Sequence, residues 1–209
     1  MDDLSALTAA IEVGDRTTAV ALARAAVESG VDTREVLGAM TGAMEVVGKR
    51  FQCNEIYVPE MLIAARAMKE SMAVLEPVLV KAGIRPEHTA VIGTIKGDLH
   101  DIGKNLVAMM WKGANIGVVD LGTDVSPEQF VAAAQEHHAD IVGVSALLTT
   151  TMVGMKDVVV ALREADLSGI KVVIGGAPVT REFADQIGAD GFATDAGGAV
   201  EAVKHALAS

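Results

Sequence analysis

The chain has 209 residues, of which 51% are apolar and only 3% aromatic, and its formal net charge is −11. This acidic balance argues against nucleic acid binding, which needs clustered lysine and arginine. No apolar run reaches the roughly 18 residues of a membrane span, and the start, Met1-Asp2-Asp3, lacks the positive charge of a signal peptide. The single cysteine, Cys53, excludes an intramolecular disulfide framework and fits a reducing compartment. We therefore expect a cytoplasmic protein that binds neither nucleic acid nor a membrane.

The first eighty residues predict helices, because they are rich in Ala, Leu, Met, Glu and Lys and have few β-branched runs. We expect a short helix that ends near Gly14, a second over 17–29, a third capped by Asp32, and a fourth that begins at Pro59. The fourth carries apolar residues at alternating spacings of four and three, typical of a bundle seam: Met61, Ala65, Met68, Met72, Leu75 and Leu79. The sequence thus predicts a four-helix bundle over 1–83.

A segment broken by glycine and proline follows, and we place a linker at 84–88. From residue 89 onward short β-branched runs alternate with amphipathic segments, which indicates a parallel sheet covered on both faces. The predicted strands are 89–95, 116–121, 141–147, 171–174 and 192–194. The predicted helices are 104–113, 127–137, 152–165, 181–187 and 199–206. Five strands in this alternation favour a flavodoxin-like, doubly wound α/β domain over 89–209.

One histidine of this domain lies in a loop between a predicted strand and a predicted helix, Gly97-Asp98-Leu99-His100-Asp101-Ile102-Gly103. Open α/β sheets bind ligands at the carboxyl ends of their strands. A carboxylate at one ring nitrogen orients a metal-binding histidine, and Asp98 could take that role. Zinc or non-haem iron would need further ligands nearby, but no other histidine follows a neighbouring strand. A single protein ligand suffices where a macrocycle fills the other positions, which points to a tetrapyrrole or a corrin.

Small residues follow three other predicted strands and leave room for a bulky ligand. The usual glycine-rich loops for dinucleotides and triphosphates are absent. The small residues occur in the segments Ser145-Ala146-Leu147, with Thr149 close behind, Gly175-Gly176-Ala177 and Asp195-Ala196.

Three segments together resemble the signature of base-off, His-on cobalamin-binding domains. They are Asp98-Leu99-His100-Asp101-Ile102-Gly103, then after 41 residues Ser145-Ala146-Leu147, then after 27 residues Gly175-Gly176. The N-terminal helices resemble the cap of methyl-carrying corrinoid proteins and of cobalamin-dependent methionine synthase. The resemblance implies that His100 is the lower axial ligand of cobalt, and that Asp98 and Ser145 form a hydrogen-bonded relay behind it.

The resemblance also implies how the cofactor would be enclosed. The loops after the third, fourth and fifth strands would hold the displaced nucleotide tail, and three residues of the bundle would lie over the upper corrin face. Tyr57 departs mildly from the Phe that the family usually has at this point. The implied cofactor-binding residues are Gly97, Asp98, Leu99, His100, Asp101, Ile102, Gly103, Ser145, Leu147, Thr149, Gly175, Gly176, Ala177, Asp195, Ala196, Tyr57, Val58 and Met61.

The function implied by this resemblance is methyl carriage on the cobalt of methylcobalamin or a related corrinoid. The partners would be a donor-specific methyltransferase, a second methyltransferase acting on tetrahydrofolate or a thiol, and a reductive activating protein. We expect little activity from the chain alone. The alternatives are an adenosylcobalamin-binding mutase subunit, which would usually lack the helical cap, and a cobalamin-sensing module, which would need a DNA-binding domain. A flavodoxin-like module without a corrin would leave the matched spacings unexplained.

Overall fold

A computed structural model describes residues 4–209, so the segment Met1-Asp2-Asp3, from which we expect no signal peptide, lies outside the described residues. The chain divides into two compact units. The first reaches to Pro86 and includes Gly113–Asn115, and the second comprises Glu87–Lys112 and Ile116–Ser209. Within residues 4–209, no helix is long and apolar enough to cross a membrane.

The first unit is a bundle of four helices, as the sequence predicts. Asp15 and Asp32 cap the second and third helices by accepting hydrogen bonds from backbone N–H groups. The predicted seam of the fourth helix is buried, apart from Met72, which is half-buried. The core of the bundle is therefore apolar, and methionine side chains fill the space that aromatic residues often occupy. The helices are α1 (Ser5–Glu12), α2 (Arg16–Glu28), α3 (Thr33–Gln52) and α4 (Val58–Lys81).

The second unit is built on five parallel strands in the order β2-β1-β3-β4-β5. This order is that of flavodoxin-like sheets, so the predicted fold class is confirmed. The strands are β1 (Thr89–Thr94), β2 (Gly117–Asp120), β3 (Ile141–Ser145), β4 (Lys171–Gly175) and β5 (Gly191–Ala193). The helices are α5 (Ile102–Gly113), α6 (Pro127–Glu136), α7 (Thr149–Met152), α8 (Met155–Glu164), α9 (Arg181–Ile187) and α10 (Ala196–Ala208).

The central strand β3 is covered on both faces, because successive side chains of a strand point to opposite sides. Val142 and Val144 belong to the main core, where Phe130 and Met155 are also fully buried. On the other face, a Cβ at Gly143 would lie 2.6 Å from the ring of the buried Trp111. Glycine at this position therefore makes room for the indole, whose Nε1 donates to the carbonyl of Ala199 in α10.

The carboxyl ends of four strands lie level at one edge of the sheet. Thr94 pairs with Ser145, Ser145 pairs with Gly175, and Gly175 pairs with Ala193. The loops that carry the predicted site residues of this unit therefore leave the sheet side by side.

Two predicted elements differ from the structure at this edge. Strand β3 ends at Ser145 rather than at 147, because the N–H groups of Leu147 and Leu148 donate to a side chain instead of to a neighbouring strand. The helix predicted over 152–165 is α8, which begins at Met155, and the short helix α7 before it is not predicted. Helices α5 and α10 also begin earlier than predicted, at Ile102 and Ala196.

Candidate functional site

Hydrogen bonds to residues at and just after the end of strand β1 hold the loop of His100 at two points. Gly97 has φ +84, a left-handed conformation that favours glycine, and the N–H of Asp98 donates to the carbonyl of Ile95. The buried Thr94 donates its hydroxyl to the carbonyl of His100 at 2.9 Å. Helix α5 then begins at Ile102, so the histidine stands between a strand end and a helix start.

Asp98 is the centre of the hydrogen bonds at this site, and its side chain is fully buried. One carboxylate oxygen, Oδ1, accepts from the backbone N–H of His100 at 3.1 Å and lies 2.7 Å from His100 Nδ1. The other, Oδ2, accepts from the loop after β3: from the N–H groups of Leu147 and Leu148 at 2.8 and 3.3 Å, and from the hydroxyl of Thr151 at 2.8 Å. This one carboxylate therefore joins two loops at the sheet edge.

These donors keep Asp98 ionised despite its burial. Burial alone would raise its pKa, since it disfavours the charged form. The hydrogen bonds from the Leu147 N–H, from the N–H and ring of His100 and from the Thr151 hydroxyl outweigh that effect and hold the pKa of Asp98 well below its usual range. Asp98 is thus a hydrogen-bond acceptor only.

The ionised Asp98 fixes the tautomer of His100. Since the carboxylate has no proton to donate, Nδ1 must carry the hydrogen of the 2.7 Å contact. In the neutral imidazole the other ring nitrogen, Nε2, holds a free lone pair, and no hydrogen bond to it occurs within residues 4–209. The His100 side chain is 51% exposed. The ring is therefore oriented and accessible, as a metal-binding imidazole must be.

The expected pairing of Asp98 with Ser145 is wrong. The hydroxyl that reaches the carboxylate belongs to Thr151, six residues further along the chain and in the short helix α7. Ser145 is the last residue of β3 and lies in the ladder beside Gly175, and the chain must turn after it before a side chain can face Asp98. Whether Ser145 contacts the cofactor remains a prediction.

The other predicted loops lie at the same edge and are closely packed. A Cβ at Gly176, whose φ is +132, would lie 1.8 Å from the carbonyl oxygen of Ala146, so this glycine lets the loops after β3 and β4 approach each other. Asp195 caps α10 by accepting from the Gly198 N–H at 2.8 Å, which explains its position without a ligand. Ala196 is buried, whereas Thr149 and Ala177 are exposed.

The three predicted cap residues belong to the first unit, at the start of helix α4. Tyr57 is the residue before the helix and its side chain is exposed, Val58 is half-buried, and Met61 is buried. Their role over the upper corrin face remains a prediction.

The sequence did not reveal two supports of the His100 loop. One involves Asp120 of strand β2, and the other is Asp124 in the connection between β2 and α6. Lys104 is buried, and its Nζ lies 2.6 and 2.7 Å from the two carboxylate oxygens of Asp120. Asp124 accepts a hydrogen bond from the Gly97 N–H and donates one to the carbonyl of Asp98. A lysine inside a predicted amphipathic helix and an aspartate in a loop usually face solvent, so nothing in the local pattern singles them out.

The surroundings of His100 fit a corrin. Leu99 and Ile102 on either side of it are 73% and 76% exposed, and Leu147 and Leu148 are also exposed. Apolar side chains at this level of exposure beside a free imidazole nitrogen offer a contact surface for a flat, largely apolar ring.

Two further features agree with this fit. A Cβ at Gly103 would meet no atom within 4 Å, so the packing of the chain itself does not require glycine there. Within the described residues, no three His, Cys, Asp or Glu side chains are grouped to hold a metal ion. A metal at His100 would therefore need most of its coordination positions filled by its own macrocycle.

Comparison with known families matches both parts of the chain. A model of the B12 binding domain matches residues 88–204, and a second B12 binding domain model matches residues 4–76.

Individual relatives match over nearly the full length. A corrinoid protein of Desulfitobacterium hafniense (strain Y51) is 42% identical over 99% of this chain and 98% of its own. Trimethylamine corrinoid protein 2 of Methanosarcina acetivorans is 42% identical over 93% of this chain and 92% of its own.

Two solved structures have the same fold as this chain. A cobalamin-binding protein from Desulfitobacterium hafniense DCB-2 superposes with a TM-score of 0.85 at 30% identity, covering 99% of both chains. A chain of the methanol:cobalamin methyltransferase complex from Methanosarcina barkeri superposes with a TM-score of 0.84 at 30% identity, covering 98% of this chain and 79% of that one.

Proposed function

The chain belongs to the corrinoid protein family, whose cofactor is cobalamin or a related corrinoid, and on this premise we propose that it carries a methyl group between two methyltransferases. The family and the cofactor that the sequence predicts are thereby confirmed. The relatives named for trimethylamine and for the methanol complex support a place in methyl transfer from small methylated compounds.

The observation that carries the proposal is the ionised, fully buried Asp98 at 2.7 Å from His100 Nδ1. It leaves the Nε2 lone pair of His100 free to bind a metal at this edge of the sheet. When bound, the corrinoid supplies a cobalt that can accept a methyl group and give it up, and the protein supplies binding and orientation.

The residues around His100 each have a definite task. Asp98 holds the proton on Nδ1 and keeps the ring in one orientation, because four donors from two loops fix its carboxylate. Leu99 and Ile102 would offer apolar surface to the ring of the cofactor, since both side chains are exposed beside His100. The loops after β3 and β4, which contain Leu147 and Gly176, would enclose the nucleotide tail of the cofactor.

The partners follow from the same proposal. A methyltransferase specific for the donor would load the chain, and a second one, acting on tetrahydrofolate or a thiol, would unload it. A reductive activating protein would restore the cofactor after adventitious oxidation. We place the chain in the cytoplasm, since its single cysteine, Cys53, is exposed and free.

The division of labour along the chain is also a proposal. Residues 1–83 would form the cap, 84–88 the linker and 89–209 the cofactor domain. Tyr57, with Val58 and Met61, would protect the upper face of the corrin.

A methyl-transfer assay tests the proposal. The chain is loaded with hydroxocobalamin, reduced with a chemical reductant, and mixed with a donor methyltransferase and trimethylamine, dimethylamine or methanol carrying a radiolabelled methyl group. We expect label to remain with the chain after gel filtration in at least one system, and to leave it when an acceptor methyltransferase and its thiol are added. A loaded chain that takes up label in none of these systems would contradict methyl carriage.

The alternative is an adenosylcobalamin-binding mutase subunit. It predicts tight retention of adenosylcobalamin together with no uptake of labelled methyl group. The match of the second B12 binding domain model to the helical bundle disfavours it, because such subunits usually lack this cap.

A further inference from the structure

The connection between β2 and α6 lies against the His100 loop and is itself held by strand β1. The N–H of Thr94 donates to the carbonyl of Gly122 at 2.9 Å, and the N–H of Val125 donates to the carbonyl of Thr94 at 2.9 Å. These two bonds fix both ends of the segment from Gly122 to Val125, which contains Asp124, beside the loop.

Asp124 contacts the loop through both its side chain and its backbone. Its Oδ1 accepts from the N–H of Gly97 at 2.7 Å, and its own N–H donates to the carbonyl of Asp98 at 3.0 Å. The two bonds clamp the backbone immediately before and at Asp98. The φ of Asp124 is +57, a left-handed conformation in which Asp and Asn are among the few tolerated side chains.

Neither partner of the side-chain bond is needed for the core of the unit. Asp124 and Gly97 are both exposed, so loss of the carboxylate would leave no buried group without a hydrogen bond. The bond therefore contributes little to global stability and acts on the local course of the backbone from Gly97 to Asp98.

We propose that Asp124 is a positioning residue for the cobalt ligand: by clamping the backbone at Asp98, it keeps that carboxylate, and through it the ring of His100, in the metal-binding orientation. The inference rests on the proposed function, since it concerns the quality of the bond from His100 to a bound corrinoid. Partners that orient a metal-binding histidine from outside the ligand set affect metal affinity by roughly 10-fold to 100-fold.

The test uses variants that separate the carboxylate from the backbone conformation. Asp124→Gly removes the acceptor but accepts a φ of +57 without strain. Asp124→Asn keeps both an acceptor oxygen and the conformation, so it should restore most of the effect. Asp124→Ala gives a second variant without the carboxylate. The control is Asp166→Gly, since Asp166 is an exposed aspartate with φ +59 in a turn after α8.

Two readouts are taken on the full-length protein. Hydrogen exchange of the Gly97 amide in the cofactor-free protein reports the clamp. Cobalt(II) EPR of the chain, made with ¹⁵N-labelled histidine, loaded with hydroxocobalamin and then reduced, reports ligation by His100, because an axial ¹⁵N splits each cobalt line into two whereas the ¹⁴N of the cofactor's own base splits it into three.

We expect D124G and D124A to exchange the Gly97 amide roughly tenfold faster and to lose corrinoid with His100 ligation at least tenfold more readily than the wild type. D124N should resemble the wild type, and D166G should be unchanged. Wild-type ligation in D124G and D124A, or an equal loss in D166G, would overturn the inference. A wild-type chain that binds no corrinoid would instead contradict the proposed function, and the Gly97 amide would still test the clamp.

Discussion

Asp98 determines what His100 can do. Its carboxylate collects donors from the β1–α5 loop and from the loop after β3, and these hydrogen bonds keep it charged where burial alone would favour its protonation. A charged Asp98 in turn leaves His100 with a free Nε2. The chemistry of the site thus depends on a residue that cannot itself touch the metal.

Removal of the Thr151 hydroxyl tests one of these donors. Thr151→Val keeps the shape of the side chain but removes the 2.8 Å hydrogen bond to Asp98 Oδ2. We expect a loss of about 2 kcal/mol in the free energy of unfolding, because the acceptor is a buried charged group, and weaker retention of hydroxocobalamin by the loaded chain. Thr151→Ser should restore both, and Thr150→Val, at an exposed neighbouring position, should change neither. Equal behaviour of T151V and T150V in denaturant titration and in gel filtration with the cofactor would refute the role of this hydroxyl.

Gly103 allows stability and binding to be separated. Its Cβ position is open within the chain and alanine favours a helix over glycine, so Gly103→Ala should leave the unfolding free energy unchanged or raise it by less than about 1 kcal/mol. We expect the added methyl group to weaken corrinoid binding, because the open space beside His100 is where the cofactor fits. The matched control is Gly169→Ala, which also has an open Cβ position but lies in the turn before β4. Spectrophotometric titration with hydroxocobalamin measures the effect, and equal affinities for G103A and G169A would contradict this reading of Gly103.

The sequence predicts the ligand of this site better than its supports. His100 and Asp98 are two residues apart in one loop, so spacing alone indicates their contact. Thr151 reaches Asp98 across 53 positions of the chain, and the run of three threonines does not reveal which hydroxyl faces the carboxylate. That choice depends on where β3 ends and how the chain turns after it, which local propensity does not determine.

Helix α5 is anchored to strand β2 by a charged pair. The Lys104 side chain is 1% exposed, and its ammonium group contacts Asp120 and the side-chain oxygen of Asn105. Burial would raise the pKa of Asp120, but the hydrogen bond from Lys104, the Gly122 N–H and the lysine charge lower it below its ordinary value. Since Lys104 follows His100 by four residues and lies in the first turn of α5, the pair fixes the start of the helix that follows the loop.

The pair predicts an acid-sensitive contribution to stability. A carboxyl group with a lowered pKa in the folded state stabilises the fold above its unfolded pKa, and the contribution is lost as the pH falls through the folded pKa. Asp120→Asn should therefore lower the free energy of unfolding by about 2 kcal/mol near neutral pH, and the difference from the wild type should shrink below about pH 4.

Urea titrations at several pH values measure this difference. Asp166→Asn, an exposed aspartate, serves as the control and should stay within about 0.5 kcal/mol of the wild type throughout. A D120N deficit that is constant from pH 7 to pH 3 would contradict the ion-pair account.

The elements of the fold follow largely from periodicity and from turn residues. Apolar alternation and Gly or Pro positions predict all five strands and the four helices of the bundle, because local propensity and burial agree there. The errors fall at the functional edge: β3 is predicted too long, α7 is not predicted, and α8 is predicted to begin too early. At that edge the backbone N–H groups of Leu147 and Leu148 serve Asp98, a demand that no local pattern expresses.

The two units of the chain carry different parts of the proposed function. The sheet unit contains the whole hydrogen-bond system of His100, whereas the bundle supplies an apolar helical surface at the start of α4 with Tyr57 exposed. Both units match B12 binding domain models, and within residues 4–209 no three His, Cys, Asp or Glu side chains are grouped to hold a metal ion. We therefore propose that the chain holds the cofactor and that its methyltransferase partners select the methyl donor.

The most direct test of the central claim is cobalt(II) EPR of the chain loaded with hydroxocobalamin and reduced, with His100→Ala beside it and His137→Ala as the control at the end of α6. With ¹⁵N-labelled histidine in each protein, we expect the two-line splitting of one axial ¹⁵N imidazole in the wild type and in H137A, and its loss in H100A, where the three-line splitting of the cofactor's own ¹⁴N base can replace it. Two-line splitting that persists in H100A, or a wild-type chain that retains no corrinoid, would contradict the assignment of His100 as the cobalt ligand.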